Sequence, residues 1–106
     1  MNEKVKTILT EFRRGLEAIY GERLVKVVLF GSQARGDAAP DSDIDVLVVL
    51  RGPVEVGDEI HRTSNLSCEI NLRTGALVSC VFMDEQFFDE RNGPLLRNVR
   101  REGVAV

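Results

Sequence analysis

The stretch Gly31-Ser32-Gln33-Ala34-Arg35-Gly36, followed after residues 37–41 by Ser42-Asp43-Ile44-Asp45 and the aliphatic run Val46-Leu47-Val48-Val49-Leu50, decides the reading of this chain. Gly31 ends a run rich in β-branched and apolar residues, Leu24 to Phe30, which reads as a buried strand emptying into a turn. Without a side chain, Gly31 lets the backbone turn sharply and approach a ligand closely, while Ser32 offers a hydroxyl and an amide to an anionic oxygen. Gln33 to Arg35 predicts a short helical turn, whose N-terminal partial charge would add about 0.3–1 kcal/mol to anion binding. Residues 36–41 carry turn chemistry throughout, with Gly36, Asp37, Pro40 and Asp41.

A second strand is predicted from Asp43 to Leu50. Alternation sets Asp43, Asp45, Leu47 and Val49 on one face and Ile44, Val46, Val48 and Leu50 on the other. Two strand residues separated by one have Cα atoms about 6.6 Å apart, so their carboxylates can converge. At ~5 Å and an effective dielectric near 20 they repel by about 3 kcal/mol. A cation removes that cost, and all-oxygen ligands favour Mg²⁺ or Mn²⁺. A solvated strand edge or a loop cap is the structural alternative for the two aspartates. The glycine-serine turn beside them shifts the balance to a pocket for a metal-chelated nucleoside triphosphate, hence to phosphoryl or nucleotidyl transfer. Arg35 either faces phosphate or braces the turn by pairing with Asp37 or Asp41.

Outward from this stretch, Val5, Ile8, Leu9, Phe12, Leu16 and Ile19 recur at three- and four-residue steps and predict a helix ending near Gly21. Arg51-Gly52-Pro53 breaks the second strand, and Val54 to about Leu72 reads as a helix of imperfect periodicity. Ala76 to Met83 predicts a third strand, after which Asp84 caps a short helix through Phe87 and Phe88. Asn92-Gly93-Pro94 ends it, and a last segment from Leu95 to Gly103 sets Leu95, Leu96 and Val99 against Arg97, Arg100 and Arg101.

The length of 106 residues bounds the chain to one domain over 1–106, and 43% hydrophobic with 29% charged residues argues for a folded globule. The charge, 14 basic against 17 acidic residues for a net of −3, argues against strong nucleic-acid binding. The single histidine, His61, excludes histidine-based metal ligation. Cys68 and Cys80 read as reduced, buried thiols, and no apolar window approaches the ~20 residues of a membrane span, so a cytoplasmic protein is expected.

The pattern Gly31-Ser32-x-Ala34-Arg35-Gly36 with Ser42-Asp43-x-Asp45 resembles the minimal nucleotidyltransferases of the DNA polymerase beta superfamily. The resemblance implies an α/β (α+β) nucleotidyltransferase fold, a small mixed sheet of about three strands with helices packed on it and the metal site at one sheet edge. It implies that Gly31, Ser32 and Arg35 bind the triphosphate of an NTP, ATP foremost, and that Asp43 and Asp45 hold Mg²⁺ or Mn²⁺ as the catalytic pair. It also implies a small helical partner of the HEPN class, whose hydroxyl would receive AMP in an antitoxin-like reaction. A catalytically weak module that neutralises the partner by binding alone is the alternative. The family commonly carries a third carboxylate on a later strand, and Ala76 to Phe82 contains none. Glu69 and Asp84 are the nearest acids in sequence. A sheet this small leaves apolar surface uncovered, which argues for a homo-oligomer or a partner docked near Phe87, Phe88, Leu95 and Leu96.

Overall fold

The computed structural model describes residues 3–36, 38 and 42–106. Its first element is helix α1, Glu3–Tyr20, which buries Val5, Ile8, Leu9, Phe12 and Leu16 along the predicted stripe. Ile19 departs from that stripe, at 39% exposed, and Tyr20 turns inward in its place. One 3₁₀ turn, Gly21–Arg23, leads into strand β1, Leu24–Phe30. The single-turn helix α2, Ser32–Arg35, follows at once. Strand β2 runs Ile44–Leu50, helix α3 Val56–Thr74 and strand β3 Val78–Asp84. Helices α4, Glu85–Glu90, and α5, Pro94–Glu102, precede a two-residue strand β4, Val104–Ala105.

The sheet order is β3-β2-β1-β4, with β1 antiparallel to both β2 and β4 and β2 parallel to β3. Four strands thus replace the expected three. The extra one escapes sequence reading because two residues carry no alternation; they are strand only by pairing Val28 with Ala105 and Leu29 with Val104. The parallel β2–β3 pair requires a crossover, and α3 supplies it. It extends past Leu72 to Thr74, where Gly75, at φ 77°, closes it in the left-handed conformation by donating its N–H to the Asn71 carbonyl.

Strand alternation splits the apolar residues into two cores. Val27, Leu29, Ile44, Val46, Val48 and Leu50 pack beneath α1 and α3 against Phe12, Leu16 and Ile70. On the opposite face Val28, Leu47, Val49 and Met83 pack against Phe88 of α4 and Leu96 and Val99 of α5. β2 is covered on both faces, and every residue from Val46 to Leu50 is fully buried. That is why its sequence reads as a continuous aliphatic run rather than an alternation. Between α1 and α3, Glu59 is buried, accepting hydrogen bonds from the Tyr20 hydroxyl at 3.0 Å and the Glu55 N–H at 3.1 Å. Burial, then the hydrogen bond and charge of Glu59, holds the Tyr20 phenol well above its usual pKa.

Two surface expectations change. Cys68 is exposed rather than buried, while Cys80 is partly buried in β3, where desolvation pushes its thiol up to about 12. Phe88 and Leu96 belong to the core, so of the proposed contact residues only Phe87 and Leu95 remain on the surface.

Candidate functional site

β1 delivers Gly31 to the end of the sheet, and the antiparallel register that pairs Phe30 with Asp45 sets the start of β2 directly beside it. Gly31 adopts φ 75° and ψ −158°, a region that side-chain-bearing residues essentially do not enter. A Cβ built on Gly31 would lie 2.5 Å from Asp45 Oδ2. The carboxylate therefore rests against the bare Cα of the turn, and the glycine is required both by its dihedrals and by its neighbour. The Gly31 carbonyl accepts from the N–H groups of Ala34 and Arg35 at 3.1 Å, and Gly36 N–H closes the turn on Ser32 O at 3.0 Å. As α2 is only one turn long, its contribution to anion binding rests on individual amides and the Ser32 hydroxyl rather than on a helix dipole.

Gln33, which sequence reading assigned only to the helical turn, donates from Nε2 to the Ser42 carbonyl at 3.3 Å. That bond ties the glycine-serine turn to the residue immediately before Asp43. No local pattern marks it, since it links two segments across residues 34–41.

Asp43 lies one residue before β2 and is exposed; Asp45, the second residue of the strand, is half-buried. Desolvation raises the Asp45 pKa above the usual carboxylate range, the adjacent charge of Asp43 raises it further, and Arg35 pulls weakly the other way. The two carboxylates thus act on one another, as their spacing predicts, and the Arg35 guanidinium lies within electrostatic reach. Arg35 also meets Glu102 of α5 at 3.5 Å. The predicted bracing partners Asp37 and Asp41 lie outside the described residues. β2 is an interior strand, so the pair sits at the end of the sheet and not at its lateral edge.

The parallel register aligns Asp45 with Ser79, and aligned residues of neighbouring strands project to the same face. A hydroxyl thus occupies the strand position next to Asp45. Neither acid nearest in sequence reaches it. Asp84 aligns with Leu50, about 17 Å along the sheet from Asp45, and accepts from the Phe87 N–H at 2.8 Å to cap α4. Glu69 stands exposed on α3, where its charge is felt by Arg73. Among the described residues no three His, Cys, Asp or Glu side chains gather into a metal cluster. Two carboxylates beside a phosphate-sized turn fit Mg²⁺, which is commonly held by one or two carboxylates with the other ligands coming from water and substrate phosphates.

The sequence profile of the nucleotidyltransferase domain family matches residues 9–93, and the chain belongs to that family. A Methanocaldococcus jannaschii protein bearing a provisional protein-adenylyltransferase name is 36% identical over 104 residues, covering 97% of this chain and 96% of its own. Among solved structures, a toxin-antitoxin complex with AMP-PNP superposes with a TM-score of 0.65 at 19% identity, over 91% of this chain and 69% of its own. A Shewanella oneidensis complex, described as a tri-AMPylated HEPN toxin with its MNT antitoxin, gives 0.61 at 16% identity, over 94% and 69%. At these identities the two superpositions establish the nucleotidyltransferase fold. No helix among the described residues is long and apolar enough to cross a membrane.

Proposed function

We propose that residues 1–106 act as one nucleotidyltransferase unit that moves AMP from ATP to a hydroxyl of a small helical HEPN-class protein in the cytoplasm, in an antitoxin-like role. The observation that carries this reading is the contact of the Asp45 carboxylate with the Gly31 backbone, which makes the phosphate turn and the acidic pair one site. The 36% identity to a protein named as an adenylyltransferase supports a protein acceptor. The AMPylated toxin in the Shewanella complex supports its class.

In this reading the amides and hydroxyl of Gly31 and Ser32 receive the triphosphate oxygens, and Arg35 adds positive charge beside them. Asp43 and Asp45 hold a divalent cation, Mg²⁺ or Mn²⁺, which when bound neutralises charge developing on the phosphates. The acceptor hydroxyl gives up its proton to water as its oxygen forms a bond to the α-phosphorus, the bridging bond to the β-phosphate breaks, and pyrophosphate leaves with that bond's electron pair. Gln33 fixes the distance between the two halves of the site through Ser42.

Ser79 beside Asp45 favours a second reading, in which the domain binds nucleotide with slow turnover and neutralises its partner by contact. Incubation of the protein and a HEPN-class partner with labelled ATP and Mg²⁺ separates the two. Label on the partner that Asp45→Asn abolishes supports transfer. Neutralisation that needs neither ATP nor Asp45, with no label moved, supports binding alone.

A further inference from the structure

We propose that β3 is the interface of a homodimer, pairing antiparallel with β3 of a second copy across a two-fold axis. The inference goes beyond the transfer reaction and does not depend on it. Among the described residues the sheet order leaves one side of β3 unpaired over seven residues, Val78–Asp84, whereas the opposite edge is the two-residue β4. Open edges are ordinarily blunted by Lys, Pro, a bulge or brevity. β3 has none of these: its register with β2 is unbroken, and its sequence VSCVFMD carries no charge before Asp84.

The backbone shows which groups are free to pair. Ile44 N–H donates to Leu77 O at 2.9 Å, so by strand alternation Leu77, Ser79, Val81 and Met83 turn their backbone groups toward β2. Val78, Cys80 and Phe82 then turn theirs outward. Apolar side chains flank this edge on both faces of the sheet: Val56 and Ile60 of α3 are 52% and 53% exposed, and Phe87 and Leu95 are 44% and 39% exposed. A groove of about 410 Å³ wraps the C-terminal end of the edge, lined by Val54, Val56, Val81, Met83, Phe87 and Leu95. A stable interface removes about 800 Å² from each partner, more than a bare strand edge offers, and the flanking rows extend the contact on both faces.

Charge selects the occupant and its direction. Between Val78 and Met83 the edge holds no charged residue that would choose a foreign strand, and an isologous contact needs only a self-complementary patch. Pairing centred on Val81 sets Val78 opposite Asp84, Ser79 opposite Met83 and Cys80 opposite Phe82, so no like charges face each other. It also sends the acidic helices α4, with Glu85, Asp89 and Glu90, to opposite ends of the joined eight-stranded sheet. A parallel arrangement would bring them side by side.

Sedimentation across a dilution series from the micromolar range upward is expected to give a species of twice the monomer mass. In a Cys68→Ser, Cys80→Ser background, Val81→Cys is expected to crosslink on oxidation, because facing residues in a non-hydrogen-bonded pair lie about 4.5 Å apart, within disulfide reach. Ile60→Lys with Phe87→Lys, both at exposed positions, is expected to give a monomer whose thermal midpoint no longer depends on concentration and matches that of the parent diluted to its monomeric range. A monomer at every concentration overturns the proposal, as does a dimer that survives the two lysines and forms no Val81→Cys crosslink.

Discussion

Gly31→Ala tests the geometry on which the site rests. At φ 75° and ψ −158° the backbone sits where alanine is strained, which costs of order 1–3 kcal/mol. The new methyl would lie 2.5 Å from Asp45 Oδ2, so the carboxylate must rotate away. Leaving its rotamer adds about 0.5–1.5 kcal/mol. The sum, about 1.5–4.5 kcal/mol, corresponds to a fall in thermal midpoint of about 6 °C or more at ~4 °C per kcal/mol for a domain near this size. Circular dichroism melts measure that fall, and isothermal titration with MgATP measures the accompanying loss of binding. A double-mutant cycle sharpens the test: with Asp45→Ala already in place the steric part vanishes and the backbone part stays, so the cost of Gly31→Ala should drop but not disappear. An alanine variant that melts within about 2 °C of the parent and binds MgATP normally would refute the claim that glycine and carboxylate form one site.

Because burial and Asp43 raise the Asp45 pKa, the folded state holds its proton more tightly than the unfolded chain, so stability declines as pH rises from the usual carboxylate range through the folded value. Asp45→Asn should remove that decline and melt higher than the parent at neutral pH without metal, whereas Mg²⁺ should raise the parent's midpoint and leave the variant's unchanged; pH-resolved melts with and without Mg²⁺ decide it. Ser79→Asp would set a third carboxylate beside Asp45; the expected result is lower metal-free stability and faster Mg²⁺-dependent label transfer, and a variant with the parent's rate would show that Ser79 does not limit the reaction. Tyr20→Phe removes the hydroxyl that donates to buried Glu59 at 3.0 Å and should cost about 1.5–3 kcal/mol in urea unfolding, since the lost bond serves a carboxylate; a loss under about 0.5 kcal/mol would mean that Glu59 is satisfied by Glu55 and Arg62 alone.

The residues that sequence reading located best are those whose role is fixed by their immediate neighbours. Gly31 must end β1 because only glycine takes its backbone angles, and the charge of Asp43 acts on Asp45 because one residue separates them. The stripe from Val5 to Leu16 and the Asp84 cap are local in the same sense, being set by helix periodicity and by a bond spanning three residues. Errors cluster at element ends. Ile19 and Tyr20 exchange roles because the helix ends there and Glu59 of α3 captures the tyrosine hydroxyl. Phe88 and Leu96 are core because α4 and α5 cover the second face of the sheet, a layer that an apolar pattern alone does not orient.

The chain by itself determined a glycine-serine turn, a paired acid and the order of helices and strands around them, since each is written within one turn or one strand. Tertiary structure decided what depends on contacts between distant segments. It set Asp45 against Gly31, placed Ser79 rather than an acid next to Asp45, tied Gln33 to Ser42, and added β4 to the sheet. It also left β3 as an open edge, because strand order is fixed by which pairings bury both faces of β2, and no single segment encodes that choice.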